Sequence, residues 1–304
     1  PMDIALLVLN QTILMFLLMS VGFVLRKMGL LSVQGVKELC NLLIYVVIPS
    51  VIIKAYFIEK TDQITNELLL SFVFAIVALA ISMFVAWIVF GKRFPVENFS
   101  TSFASAGFIG IPLVSAVLGL QAVFYITGMV ACLNILQYTY GQSLLKGDFK
   151  SLTLRKIFLN PIIIGLGIGL LIYFTGFKTP EMLKSVVNSA SALNAPIAMF
   201  VVGTYLTQVD FSTLIKSKIT FLTSFFRLLV IPVITLLVFS LIPGNALMKL
   251  AVLLAASAPV GFNVVVFCQL NNVECTDGVK DVCMSSVLSI LTMPLIVYIA
   301  SYFI

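Results

Sequence analysis

Histidine is missing from this sequence, and charged side chains are scarce. None of the 304 residues is histidine, and Asp, Glu, Lys and Arg together make up 10% of the chain. Without imidazole, haem and zinc ligation by histidine is excluded, and an enzyme would lack the commonest general base. A soluble domain is about one quarter charged, so water is not the main solvent of this chain.

Cysteine and acidic residues are too scattered to predict a metal or redox site. The 12 acidic residues lie near the ends of apolar runs or between them, so neither a carboxylate proton relay nor an acidic sodium cage is expected. No cofactor is expected, although neutral oxygens could still bind sodium. The cysteines form no Cys-x-x-Cys pair and no disulfide framework, and we interpret most of them as small core residues: Cys40, Cys132, Cys268, Cys275 and Cys283.

Apolar runs fill the rest of the chain. Hydrophobic residues make up 61% of it, the mean hydropathy is +1.16, and each run could cross a hydrocarbon core of ~30 Å as a helix. The first run, Ile4 to Leu25, lacks the basic flank of a signal peptide and is interpreted as a span. The predicted fold class is an all-α integral membrane protein with ten spans, near 4–25, 36–56, 67–90, 98–119, 122–145, 154–174, 181–207, 218–241, 246–270 and 277–302.

Lysine and arginine are distributed unequally between the two sides of the predicted bundle. The net charge of +6 could indicate nucleic acid binding, but these residues lie at the ends of spans and serve better as topology signals. Loops after odd-numbered spans carry Arg26, Lys27, Lys37, Lys92, Arg93, Lys146, Lys150, Arg155, Lys156, Lys216, Lys218 and Lys280. Loops after even-numbered spans carry Lys54, Lys60, Lys178, Lys184 and Lys249. Cytoplasmic loops are enriched in Lys and Arg, so the odd-numbered loops are predicted to face the cytoplasm. Both termini are then predicted to lie on the outer side of the cytoplasmic membrane.

The chain shows signs of an internal duplication. Five spans per half is an odd number, so a second half would enter the membrane in the opposite sense. A shift of 147 residues superposes uncommon residue types without a gap: Gly22 on Gly169, Gly29 on Gly176, Lys37 on Lys184, Asn41 on Asn188, Pro49 on Pro196, Asn98 on Asn245 and Pro112 on Pro259. We therefore predict one membrane domain of two inverted halves, 1–147 and 148–304.

Spans 4 and 9 each contain proline and glycine at mid-membrane depth. Pro112 is expected to kink or unwind span 4, and Pro259 does the same for span 9. Taken alone, either feature is an ordinary kink. Irregular backbone at equivalent places in two inverted halves instead indicates a cavity, because such backbone is tolerated in a membrane only when it is buried or lines one.

A crossing of two broken helices would expose unpaired N–H groups that suit a carboxylate. The predicted substrate site is therefore the set Ser105, Gly107, Gly110, Pro112, Pro259, Gly261 and Asn263, with Ser257 nearby. Further polar candidates inside the spans, for which interhelical hydrogen bonding is the simpler account, are Asn41, Tyr45, Asn134, Gln137 and Tyr138. Arg227 is the one strongly basic residue well inside a span, and we favour snorkelling or packing over substrate contact for it.

Four segments resemble bacterial members of the auxin efflux carrier family: GFVLRKMGLL from Gly22, NLLIYVVIP from Asn41, GFIGIPL from Gly107 and PVGFN from Pro259. The resemblance runs from about Ile4 to the C-terminus. It implies a 5+5 inverted repeat of the bile acid–sodium symporter type, with the substrate site at crossovers in spans 4 and 9. It also implies homodimers, a scaffold of spans 1, 2, 6 and 7, and an elevator-like movement of spans 3–5 and 8–10. The family usually has an asparagine where this chain has Ser105, which puts one substrate contact in doubt.

The function predicted is secondary transport of a small organic anion, such as a malate-, malonate- or auxin-like carboxylate. With no carboxylate expected inside the membrane, a passive or potential-driven uniporter is favoured over a proton symporter. Apart from the substrate, a second copy of the chain and membrane lipid, no partner is expected. The alternatives are a membrane receptor that binds a ligand without moving it and, less favoured because histidine, buried acids and cofactor motifs are missing, an intramembrane enzyme.

Overall fold

The computed structural model describes residues 2–147 and 154–304, and within these two stretches the chain is helical with no strand. The predicted boundary after residue 147 falls beside residues 148–153, which lie outside the described chain. The first stretch contains α1 (Met2–Lys27), α2 (Val33–Leu42), α3 (Ile48–Ala55), α4 (Asp62–Phe90), α5 (Pro95–Ser102), α6 (Ile111–Leu118), α7 (Leu120–Leu136) and α8 (Gln142–Lys146). The second contains α9 (Leu154–Phe158), α10 (Pro161–Thr175), α11 (Glu181–Ala192), α12 (Asn194–Tyr205), α13 (Phe211–Lys216), α14 (Lys218–Phe225), α15 (Ile231–Leu241), α16 (Ala246–Ala256), α17 (Asn263–Leu270) and α18 (Thr276–Ala300).

Seven of the described helical segments are long and apolar enough to cross a membrane. They correspond to predicted spans 1, 2, 3, 5, 7, 8 and 10 and comprise Asp3–Lys27, Val33–Ala55, Asp62–Phe90, Leu120–Lys146, Glu181–Gln208, Lys218–Leu241 and Thr276–Ala300. The other three predicted spans contain shorter apolar helices, namely Ala106–Leu118, Pro161–Thr175 and Ala246–Ala256. A helical integral membrane protein is thereby confirmed, whereas ten spans in an inverted repeat stay a prediction.

Wide π-helical turns precede three Ile-Pro pairs. Leu43–Val47, Ala106–Gly110 and Phe226–Val230 lead directly into helices that begin with Ile and then Pro. Proline has no N–H, and its ring collides with the carbonyl four residues earlier. A turn bonded five residues back relieves both problems, and the N–H of Ile111 accordingly donates to Ala106 O.

The prediction that span 4 unwinds at Pro112 is wrong about the position. Pro112 is the second residue of α6 and continues the helix Ala106–Leu118 directly after the π-helical turn Ala106–Gly110. The backbone is extended at Phe103 instead, about two turns earlier. In span 9 the proline does lie in the break, since Pro259 falls between the end of α16 and the start of α17.

Glycines let helices of the two predicted halves pack in close contact. A methyl group on Gly22 would overlap the Phe200 backbone carbonyl of α12, and one on Gly203 would overlap the Met19 carbonyl of α1. In the same way, α10 packs against α3, where Gly169 lies against Tyr56. Under the 147-residue shift, α1 corresponds to α10 and α3 to α12. The two contacts are therefore equivalent, as a duplicated chain would require.

The outer surface is apolar, but two acidic side chains are buried inside. Large hydrophobic side chains such as Leu17, Phe84 and Leu241 are exposed, as expected for a surface that faces lipid. Asp281 in α18 is 0% exposed and Glu97 in α5 is 4% exposed. Both lie near helix starts, as predicted, but neighbouring helices enclose them, which the sequence did not indicate.

Candidate functional site

The two breaks lie side by side and hydrogen bond to each other. The backbone of Ala104 pairs with that of Val260 in an isolated antiparallel bridge. The N–H of Ser105 donates to Pro259 O over 2.8 Å, and the N–H of Gly261 donates to Phe103 O over 3.3 Å. Unwound backbone that would be costly in lipid thus finds partners in the other broken helix. The structure thus places the two predicted breaks in contact, and we call these paired segments the crossing.

A cavity of about 50 Å³ lies directly beside this crossing. Its walls come from both breaks, from the first π-helical turn and α3, and from α7, α10 and α17. The lining residues are Ile44, Ile48, Ala104, Ser105, Ala106, Gly107, Phe108, Val130, Leu133, Asn134, Tyr138, Ile162, Gly261, Phe262, Asn263, Val266 and Phe267. A water needs roughly 10–15 Å³ by this measure, so the cavity holds a few waters, and a whole organic anion would require a wider conformation.

Several residues that line this cavity have unpaired backbone N–H groups. The N–H groups of Ala106, Gly107 and Phe108 begin the helix Ala106–Leu118 and have no acceptor within the described residues. On the other side, the N–H of Asn263 opens α17, also without an acceptor there. Helix N-termini carry about half a positive charge each. Because two of them meet here and none of the described lining residues is charged, the cavity favours an anion.

Polar side chains also lie in and beside the cavity wall. Asn263 Nδ2 donates to Gln137 Oε1 over 2.9 Å, and Gln137 Nε2 is buried without an acceptor among the described residues. Asn134, which lines the cavity, donates from Nδ2 to Val130 O over 2.8 Å. Ser105, which lines the cavity, is 4% exposed. These groups offer hydrogen bonds without adding charge.

The structure brings together some of the sequence-predicted residues and separates others. Ser105, Gly107, Gly261, Asn263 and Asn134 line the cavity. The other predicted residues lie outside the cavity wall. Gly110 packs on Ala255, and Pro112 lines a different pocket. Pro259 accepts the hydrogen bond from the Ser105 N–H, Gln137 accepts one from Asn263, and Asn41 is exposed.

Arg227 is enclosed in the protein instead of snorkelling to a membrane surface. It is 1% exposed, and its Nη1 donates to Thr101 O over 2.9 Å and to Ser82 Oγ over 3.4 Å. Its Nη2 donates to Ala256 O. Thr101 and Ala256 lie at the C-terminal ends of α5 and α16, where carbonyls lack intrahelical partners and partial negative charge collects. Packing, one of the two roles we favoured for Arg227, is what the structure shows.

The apolar lining was missed from the sequence. Ile44, Ile48 and Ile162 belong to helices that pack against the broken ones, and in an apolar chain no local signal separates them from other core residues. Tyr138 was singled out as polar, and it does reach the cavity wall. Only the neighbours in space decide which isoleucine faces the cavity.

Broken helices that cross inside an apolar helical bundle define a class, the membrane carriers that bind substrate at interrupted helices. The sequence comparison agrees with this class. The chain belongs to the family described as membrane transport proteins, the auxin efflux carrier-like family, whose sequence model matches residues 7–297. The resemblance to auxin efflux carriers is thereby confirmed.

A relative is found in an archaeon. An uncharacterized transporter of Methanocaldococcus jannaschii is 25% identical over 277 residues, which cover 85% of this chain and 85% of the relative. The similarity therefore extends over most of both chains. With the family match it establishes a multi-pass membrane transporter, a kind of protein that is typically not an enzyme.

Proposed function

We propose that the protein is a secondary carrier for a small organic anion, whose carboxylate binds at the crossing of the broken helices. The observation that carries the proposal is the set of unpaired N–H groups at Ala106, Gly107 and Phe108, residues that line an uncharged cavity. Backbone N–H groups at a helix start bind anions without a buried cation. A malonate-, malate- or auxin-like carboxylate fits this chemistry.

The side chains that line the cavity contact the part of the substrate other than its carboxylate. Apolar walls from Ile48, Val130 and Phe267 suit the carbon skeleton, while Asn263 and Ser105 supply side-chain hydrogen bonds. Ser105 offers one hydroxyl where relatives are expected to offer an amide. The carboxylate is therefore bound mainly by backbone, and the substrate differs from that of asparagine-bearing relatives.

The movement that we propose comes from the resemblance to auxin efflux carriers, and the position of the cavity is consistent with it. The cavity is bounded on one side by the broken helices and on the other by Ile44, Ile48 and Ile162, which belong to predicted spans 2 and 6. Spans 1, 2, 6 and 7 act as a static scaffold in a homodimer, and the remaining spans slide past it as an elevator. The cavity at this boundary is exposed first to one side of the cytoplasmic membrane and then to the other.

A ligand-binding screen tests the site. Purified protein is heated with mono- and dicarboxylates, and a ligand at about 100 times its Kd stabilises by roughly 2.7 kcal/mol. We expect Asn263→Ala and Ser105→Ala to weaken the stabilisation by a carboxylate. Asn41→Ala, an exposed amide away from the cavity, is the matched control and keeps it. Unchanged affinity in both site variants contradicts the proposal.

The second candidate function is a receptor that uses the same site without translocation. The crossing itself speaks against it, since broken helices at a boundary between two groups of helices are a feature of alternating access. A receptor binds the carboxylate found in the screen but accumulates none of it inside vesicles.

A further inference from the structure

The inside of the helix bundle contains a carboxyl group with no partner. Asp281 lies in α18 and is 0% exposed. Neither of its carboxylate oxygens has a hydrogen-bond partner among the described residues. A buried carboxylate that has only neutral hydroxyl groups beside it and no cation is strongly disfavoured in its charged form, so this place favours a group that neutralises it.

Two other helices pack against α18 at this point and bring hydroxyl groups. The Ser100 hydroxyl on α5 and the Thr220 hydroxyl on α14 face the Asp281 carboxyl group, and both side chains are 0% exposed. Ser100 Oγ has no partner of its own in the described chain, and neither does Ser224 Oγ, one turn along α14 from Thr220. Several unsatisfied polar atoms in one helix interface indicate a ligand site and not an accident of packing.

The charged and titratable groups around Asp281 leave it unneutralised. Lys280 pairs with Asp277 over 3.1 Å, and Arg227 donates to Thr101, Ser82 and Ala256. The other groups near the carboxyl are acidic or thiol, namely Glu97, Asp277 and Cys268. No positive side chain therefore compensates Asp281.

The site is linked to the crossing by two short paths. Four residues along α18, about 6 Å, Ser285 Oγ accepts the N–H of Val260 over 3.0 Å. On α5, Ser100 lies three residues before the extended Phe103. Asp281 is thus connected to both unwound segments, to one through α18 and Ser285 and to the other through Ser100 on α5.

We propose that Asp281 is the binding site of a proton that travels with the organic anion, so that the carrier is a proton symporter. The inference rests on the proposed transport function. One carboxylate oxygen takes the proton, and the resulting acid can donate its O–H to Ser100 Oγ. One proton and one monovalent anion then cross together without net charge. A metal cation would need several oxygen ligands, and no group of three or more acidic, His or Cys side chains is placed to hold one among the described residues.

Infrared difference spectroscopy tests the proton site without any substrate. Wild-type protein in lipid nanodiscs at neutral pH is expected to show a carboxylic acid C=O band, which Asp281→Asn removes. Asp277→Asn changes a partly exposed carboxyl one turn away on the same helix and is the matched control that keeps the band. Asparagine is neutral like the protonated acid, so the fold is expected to survive. A band that persists in Asp281→Asn, or that disappears in Glu97→Gln instead, overturns the assignment.

Vesicle experiments test the coupling. In proteoliposomes with a labelled carboxylate from the binding screen, an inward proton gradient is expected to drive accumulation several-fold above the outside concentration. Asp281→Asn loses this excess, and Asp277→Asn keeps it. Accumulation driven by a sodium gradient, or unchanged proton-driven accumulation in Asp281→Asn, contradicts the proposal. If no carboxylate is transported at all, the proposed transport function is wrong. The infrared measurement then still shows whether Asp281 carries a proton.

Discussion

Arg227 shows how one side chain can hold two broken helices together. Its guanidinium joins the carbonyl ends of α5 and α16 and the Ser82 hydroxyl of α4. The planar fork of arginine presents several donors in fixed directions, which a lysine ammonium does not reproduce. The guanidinium charge lies at the C-terminal, partly negative ends of the two helices before the breaks, α5 and α16. The N-terminal, partly positive ends of the two helices after the breaks remain free to bind the anion.

Replacing Arg227 is expected to weaken the fold. Arg227→Met leaves carbonyls at two half-helix ends without donors, at about 1–3 kcal/mol for each buried unsatisfied group. Arg227→Lys retains the charge and part of the bonding and is expected to lose less. Thermal unfolding of purified protein in detergent measures both. Lys216→Met, at an exposed helix end, is the control, and an Arg227→Met variant as stable as that control would contradict this role.

For single residues, the sequence indicated which side chains lie beside the breaks, but it did not indicate which side chains are buried. Ser105, Gly107 and Asn263 were found because proline and glycine marked the breaks around them. Asp281 was missed because its place near a helix start suggested access to water, whereas α5 and α14 cover it. Burial of this kind depends on Thr220 and Ser100, which lie 61 and 181 residues before Asp281 in the chain, and a local sequence pattern does not include them.

At the scale of helices, glycine decides which surfaces approach closely. Gly203 of α12 lies against the Met19 backbone of α1, and backbone cannot move aside as a flexible side chain can. Gly167 in α10 has open space where a methyl group would be placed. The two positions form a matched pair on different faces of the bundle.

A methyl group at Gly203 is expected to force α1 and α12 apart. Gly203→Ala should destabilise the protein by about 1–3 kcal/mol or more, the usual cost of overpacking. Gly167→Ala, with room for its methyl group and a better helix former in place of glycine, should be neutral or slightly stabilising. Unfolding temperatures of the two variants in the same detergent check this, and equal temperatures would show that the contact is not tight.

Most helices were predictable because apolar runs and Lys, Arg, Pro and Gly breaks are local signals. The three π-helical turns before the Ile-Pro pairs were not predicted, although the missing proline N–H gives a physical reason for each of them. The break in span 4 was misplaced for a related reason. Pro112 is accommodated by the π-helical turn before it. The unwound residues near Phe103 are fixed by hydrogen bonds to Pro259 and Gly261, partners that a local sequence pattern does not include.

At the scale of the whole molecule, α1 packs on α12 and α10 packs on α3, two helix pairs that correspond under the 147-residue shift, while the duplication itself stays a prediction. The 147-residue shift does not describe the pairing at the crossing. Ala104 pairs with Val260 there, whereas the residue 147 positions after Ala104 is Ala251. Orientation of the termini rests on the Lys and Arg distribution and stays a prediction.

Counterflow in proteoliposomes tests the central claim most directly. Vesicles are loaded with an unlabelled carboxylate that stabilises the protein, and the labelled compound is added outside. We expect transient accumulation of label by the wild type, retained in Asn41→Ala and strongly reduced in Asn263→Ala. Binding without any accumulation would identify a receptor and contradict transport, and full accumulation in Asn263→Ala with Ser105→Ala combined would contradict the site at the crossing.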